Sequence, residues 1–297
     1  MTVTFKGVMP AITTPFNADL SIDHGALATH VQWLVSNGCT GIVPCGSLGE
    51  GATLTFDEKL ALIETCARAV DVPVIPGIAA LSTHEAVELA KAAVTHGARA
   101  LMVLPPYVYS SDWREMKAHV AAVIQATSLP CIVYNNPVAY RTDFSPAQIM
   151  ELANEFQNVK AVKESSTDVR RITAIKALAG DRLTLGVGVD DVLVEGVAAG
   201  AEFWIAGLVD ALPKESVRLF ELARDGKWDE AAKLYAWFLP LLRLDTVPKF
   251  VQLIKLVQEQ LGICHRRVRP PRLELAGAEL AEAQALIEQA LAQRPQV

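Results

Sequence analysis

The sequence predicts an α/β fold: a closed (β/α)8 TIM barrel with a C-terminal helical extension. Three observations lead there. Eight short apolar segments alternate with amphipathic, helix-like segments between Gly7 and Gly207. Each apolar segment is continuously hydrophobic, as strands buried on both faces are, rather than alternating. Eight such units close into a barrel that has no edge strand to protect. An open doubly wound sheet is the other arrangement that this alternation allows.

In chain order, the first strand is Gly7–Thr13, ending in the turn Pro15-Phe16-Asn17. A helix capped by Asp23 follows, with apolar positions at Leu27, Val31, Leu34 and Val35, and ends at Gly38. The second strand is Gly41–Cys45, with the glycine-rich turn Gly46-Ser47-Leu48-Gly49-Glu50 behind it. Thr55 with Glu58, and Ser82 with Glu85, have the spacing of capping boxes and open the next two helices. Between them lies the third strand, Val72–Ile78. The fourth strand, Ala100–Leu104, ends in Pro105-Pro106-Tyr107 and leads to a helix from Trp113 to Ala126. The fifth, Cys131–Tyr134, is stopped by Asn135-Asn136-Pro137, and Ser145-Pro146 starts the following helix. The sixth strand ends at Lys163, the seventh is Leu183–Gly188 and the eighth Glu202–Gly207. Beyond it the chain reads as helices near Lys214–Asp225, Trp228–Leu242, Pro248–Leu261 and Ala278–Ala292. Residues 1–212 therefore make the barrel, and residues 213–297 make helices packed on it.

Composition bounds the function. Of 297 residues, 51% are hydrophobic and 20% charged, with a formal net charge of −6. That balance argues against nucleic acid or an anionic membrane as a partner. No apolar run reaches the roughly 18 residues of a membrane span, and the N-terminus lacks a signal-peptide pattern. Five cysteines without CxxC spacing read as reduced thiols of a cytoplasmic protein. The six histidines fall mostly in helical segments, so no metal set is expected and no cofactor motif stands out.

Catalytic groups of such barrels sit at the C-terminal ends of the strands. Those ends carry Thr13, Thr14, Ser47, Tyr107, Tyr134, Lys163, Gly188 and Ile205, with no histidine and no cluster of carboxylates. Lys163 closes a strand of small and β-branched residues, and burial there is costly for a cation. An ordinary lysine, with a pKa of about 10.4, is a free amine in about one molecule in a few thousand at pH 7. Burial can lower that pKa by up to about 3–5 units, making the amine a nucleophile toward a carbonyl. A salt-bridged or snorkelling lysine is the alternative, and Lys160 at the strand entrance illustrates it.

The inventory suits imine chemistry on a 2-oxo acid. Lys163 would attack the ketone, and the protonated imine would serve as electron sink. Tyr134 on the neighbouring strand would move the proton, with Ser47 relaying it to Tyr107. Backbone N–H groups of the turn at Ser47 and Leu48 would hold the substrate carboxylate. Gly188 and Ile205 would complete the substrate wall. For Tyr134 a buried phenol bonded to a backbone carbonyl is the competing reading. For the turn it is a tight strand-to-helix connection, and for Gly186-Val187-Gly188 a phosphate site of the kind found in other barrels.

Four motifs in order carry a family resemblance: Gly46-Ser47-Leu48-Gly49-Glu50 to GxxGE, Leu104-Pro105-Pro106-Tyr107 to xPPY, Tyr134-Asn135-Asn136-Pro137 to YNxP, and Val162–Ser166 to the KxSS lysine strand. With these the chain resembles the class I Schiff-base lyases typified by dihydrodipicolinate synthase and N-acetylneuraminate lyase, from Gly7 to Pro271. The resemblance implies an imine at Lys163, Tyr134 as proton shuttle, and a homo-oligomer, tetramer or dimer. It also implies that the tyrosine at position 107 crosses into the neighbouring subunit's site. Two departures bear on substrate. Leu48 stands where the synthase has a threonine of the proton relay. Val138-Ala139-Tyr140 displace Arg141 from the place of the arginine that holds the second substrate's carboxylate. The expected function is a lyase that cleaves, dehydrates or deaminates a 2-oxo acid. The alternatives are dihydrodipicolinate synthesis from pyruvate and aspartate semialdehyde, and a non-catalytic barrel that binds a 2-oxo acid.

Overall fold

The computed structural model describes residues 3–106 and 112–297. Seven strands form one parallel sheet: β1 Gly7–Pro10, β2 Gly77–Ile78, β3 Leu101–Val103, β4 Cys131–Asn135, β5 Val159–Glu164, β6 Thr184–Val187 and β7 Phe203–Ala206. Their order is β1-β7-β6-β5-β4-β3-β2. The expected second strand, Gly41–Cys45, is present as two single bridges, Ile42 to Val74 and Val43 to Ala11. It closes the barrel all the same. Val43 N donates to Pro10 O at 2.9 Å on one side, and Ile75 N donates to Ile42 O at 2.8 Å on the other. Pro44, Pro73 and Pro76 lack the N–H that a longer ladder needs, so the eighth stave remains a pair of bridges.

Two apolar layers result. Met9, Val43, Ile75, Met102, Ile132, Ala161 and Phe203 fill the barrel interior, with Tyr134 and Ile205 in the same cluster. The outward faces of the strands pack against the surrounding helices in a second, larger cluster. Thr55 and Glu58 form the expected reciprocal capping box, and Ser145 with Gln148 forms another. At Ser82 only half of the expected box is made: its side chain accepts from Glu85 N. No helix among the described residues is long and apolar enough to cross a membrane.

The C-terminal helices lie at Pro213–Arg224, Trp228–Leu242, Phe250–Gln260 and Gly277–Ala292. The third of them is wired into the C-terminal ends of the barrel strands. Gln258 Oε1 accepts from Thr13 Oγ1 at 2.9 Å, and Lys255 Nζ meets Glu50 Oε1 at 2.6 Å. Both members of that ion pair are fully buried. Glu50 Oε2 accepts from Arg269 N, and Lys255 also donates to Arg267 O. The glycine-rich turn is thus held from behind by the extension. Removing one partner of a buried pair strands the other charge and costs about 3–5 kcal/mol. Lys255→Met should lose about that much stability in equilibrium urea unfolding. A loss below about 1 kcal/mol would show that the pair does not hold the turn.

Candidate active site

The site is set by register. Tyr134 on β4 pairs with Lys163 on β5, and Lys163 pairs with Gly186 on β6. Side chains alternate along a strand, so Tyr134 and Lys163 both point into the barrel while Glu164 points out. Glu164 is buried outside, accepting from Asn135 Nδ2, Ser166 N and Arg171 Nε. These bonds fix the ends of β4 and β5 together. Lys160 is exposed, as a solvated lysine should be.

Lys163 is 5% exposed, and its Nζ sits 4.2 Å from the centroid of the Tyr134 ring. Among the described residues no carboxylate comes within ion-pair distance of it. Burial lowers its pKa to about 8, opposed by the charges of Asp245 and Asp190. The snorkelling alternative is therefore not the one observed. Its stem runs along Gly188, where a Cβ would meet Lys163 Cε at 2.4 Å and Ser165 Oγ at 2.0 Å. Glycine at 188 serves this close approach.

The Tyr134 phenol is buried, and burial raises its pKa, opposed by hydrogen bonds from Asn136, Ser165 and Tyr140. Asn136 Nδ2 donates to the phenol oxygen at 2.9 Å. The Tyr140 ring meets it edge-on, with centroids 5.9 Å apart and planes at 87°. The Tyr140 hydroxyl in turn contacts the Ser47 hydroxyl. Tyr107, the expected partner of Ser47, lies outside the described residues, and the partner observed is Tyr140. Read only as an insertion that displaces Arg141, Tyr140 is a site residue that sequence reasoning missed. Arg141 itself is exposed, in a left-handed turn at φ 57° after the helix Pro137–Tyr140, and lies off the cavity wall.

Ser47, Leu48, Tyr134, Lys163, Gly188 and Ile205 all border one cavity of about 510 Å³. Thr13 and Thr14 do not; they brace the strand ends, Thr14 Oγ1 donating to Gly49 O at 2.7 Å. The expected absence of clustered carboxylates needs correction. Asp190, Asp210 and Asp245 are gathered around the strand ends by folding, and their mutual charges are felt. Asp190 accepts from Trp204 Nε1, Gly207 N and Leu208 N, and burial still pushes its pKa up to about 6. Among the described residues no group of three or more histidines, cysteines and carboxylates is arranged to hold a metal.

The sequence profile of the dihydrodipicolinate synthetase family matches residues 4–290. A 4-hydroxy-tetrahydrodipicolinate synthase of Methanothrix thermoacetophila is 32% identical over 248 residues, 82% of this chain and 84% of that protein. Among solved structures, a dihydrodipicolinate synthase of Bacillus anthracis superposes with a TM-score of 0.93 at 27% identity, covering 99% of this chain and 100% of that one. A prophage protein of the same family from E. coli K12, solved in complex with pyruvate, superposes with a TM-score of 0.90 at 26% identity, covering 97% and 99%.

A pKa near 8 makes Lys163 testable by itself. Because the shift is downward, the free amine appears at lower pH than for an ordinary lysine: about a tenth of molecules at pH 7. Acylation of Lys163 by an amine-directed reagent, followed by peptide mass spectrometry, should rise with a midpoint near pH 8. A midpoint near the ordinary value of about 10.4 would show a solvated amine.

Proposed function

Since this chain belongs to the dihydrodipicolinate synthetase family, we propose that it is a class I lyase forming a Schiff base between Lys163 and a 2-oxo acid of the pyruvate type. The observation that carries this reading is the dry Lys163 amine beside the Tyr134 phenol. The neutral amine adds to the C2 carbonyl, and loss of water gives the imine. The imine draws electrons from C3, so a bond between C3 and C4, or to a leaving group β to the imine, can break. Tyr134 moves the protons, and the hydroxyls of Tyr140 and Ser47 extend the path outward. N–H groups of the turn at Ser47 and Leu48 take the substrate carboxylate. Pyruvate in the solved E. coli relative supports the substrate class.

Synthesis of the dihydrodipicolinate precursor is the second reading, favoured by relatives that are 4-hydroxy-tetrahydrodipicolinate synthases. Against it stand Leu48, which brings no hydroxyl to the relay, and Arg141, which does not reach the cavity wall. The family resemblance supports a cytoplasmic homo-oligomer, a tetramer or dimer, as the working form. Light scattering of the purified protein reads that state directly.

Borohydride in the presence of pyruvate should fix an adduct on the peptide containing Lys163. Lys163→Arg should give none and no turnover, because a guanidinium stays protonated. An adduct on Lys160 instead, or none with any 2-oxo acid, would leave a binding barrel without this chemistry. Tyr134→Phe should keep the fold and lose about 10²–10⁴-fold in kcat, the range of general acid–base groups. A kcat near the parent value would remove Tyr134 from the proton path.

A further inference from the structure

Ser165 borders the cavity without a part in the imine chemistry assigned to Lys163 and Tyr134. It follows Lys163 by two along the chain, so it faces the same way, and it is 1% exposed. Its backbone is fixed, because Ser165 N donates to Asn135 O at 2.8 Å and ties the end of β5 to the end of β4. Its Oγ fills the space beside Gly188: a Cβ there would lie 2.0 Å from this oxygen and 2.4 Å from Lys163 Cε. The hydroxyl is therefore a neighbour of the amine stem. It also stands close enough to the Tyr134 phenol to draw its pKa down, yet closes no aligned hydrogen bond among the described residues. The next serine differs. Ser166 Oγ accepts from Asp168 N at 3.4 Å and lies off the cavity wall.

A buried hydroxyl left unpaired is uncommon and calls for a reason. The phenol beside it supplies one. When Tyr134 acts as the acid of the imine-forming step, its O–H bond breaks and the proton goes to the carbinolamine hydroxyl. The C2–O bond breaks, water leaves, and the protonated C2–N double bond forms. The phenol is left as a phenolate, which then takes a proton from C3. A phenolate accepts more strongly than a phenol, and hydrogen bonds to an ionised group are roughly twice as strong as neutral ones. Asn136 Nδ2 already donates to that oxygen at 2.9 Å. We infer that Ser165 is a positioning residue for the proton shuttle, whose unpaired hydroxyl turns onto the Tyr134 oxygen once that oxygen has lost its proton. Ser165 keeps its own proton throughout. The phenolate then has two donors, Asn136 from the end of β4 and Ser165 from the end of β5, in a wall shut off from water. Because the second bond is made only when the charge appears, it favours proton transfer rather than the resting site. The inference rests on the imine reading above and adds a residue that works through Tyr134.

The test uses the full-length protein, pyruvate and two readouts. The half-saturating concentration for borohydride trapping reports imine formation. Deuterium uptake at C3 of pyruvate in heavy water, followed by proton NMR, reports the proton transfer. Ser165→Ala should keep half-saturation within about twofold and slow the uptake by about 10- to 100-fold, the range for one hydrogen bond to a charged group. Ser165→Gly deletes the hydroxyl in a second way and should match it. Ser166→Ala should stay within about twofold of the parent in both readouts. The Tyr134→Phe background shows whether Ser165 works through the phenol. With no phenolate to hold, removing the Ser165 hydroxyl there should cost no more than about twofold further. Circular dichroism checks that the variants fold. Parent-like uptake in Ser165→Ala and Ser165→Gly, or a loss that persists in full in the Tyr134→Phe background, would overturn the inference while leaving the imine reading standing. No pyruvate adduct in the parent protein would overturn both.

Discussion

The site depends on keeping one amine dry. Moving Lys163 from water to the barrel mouth lowers its pKa from 10.5 to about 8. The sign follows from linkage. The unfolded chain binds this proton more tightly than the folded one, so the folded state bears a cost below pH 8 that fades as pH rises toward 10.5. Two to three pKa units correspond to about 3 kcal/mol. A barrel with two apolar layers has stability to offset that. The surroundings are arranged around the burial rather than against it. Among the described residues no carboxylate pairs directly with the amine, Tyr134 offers a ring face, and Gly188 yields the space along the stem. A salt bridge would have restored the charge and removed the nucleophile.

The C-terminal helices are part of the same machinery. The ion pair of Lys255 with Glu50 is as dry as Lys163, yet it serves the opposite end: both charges are kept, and both are satisfied. Burial lowers the pKa of Lys255 while Glu50 raises it back. One buried lysine is left unpaired where an amine is needed, and the other is paired where an anchor is needed. Through Glu50 the extension positions the turn of Ser47 and Leu48, and through Asp245 it reaches the cavity itself. The extension is therefore coupled to the site at two points.

Along the cavity Tyr134, Tyr140 and Ser47 form a chain of groups able to pass a proton. Of the three buried aspartates, each held above its solution pKa by burial, Asp245 borders the cavity while Asp190 and Asp210 lie behind its wall. Asp190 spends its acceptors on the backbone that follows β7, fixing Gly207 against which Asp245 lies. Shape and charge at the mouth are thus set by residues from separate strands and from the extension.

What the sequence by itself determined is what periodicity and adjacency encode. Continuous apolar segments mark the staves, capping residues at Asp23, Thr55 and Ser145 mark helix starts, and consecutive strands place Tyr134 beside Lys163 with period-two parity. The order of the motifs carried the family. The proline-rich stave at 41–45 was legible as an element but not as bridges, because missing N–H groups act on pairing rather than on hydrophobicity. Only the tertiary structure decided the rest. Asp245 is separated from Lys163 by several elements, Lys255 from Glu50 by most of the barrel, and Tyr140 faces Ser47 from the opposite wall. Such contacts follow from barrel closure and the path of the extension. They leave no local pattern, since a buried aspartate and a surface aspartate look alike until folding removes the water.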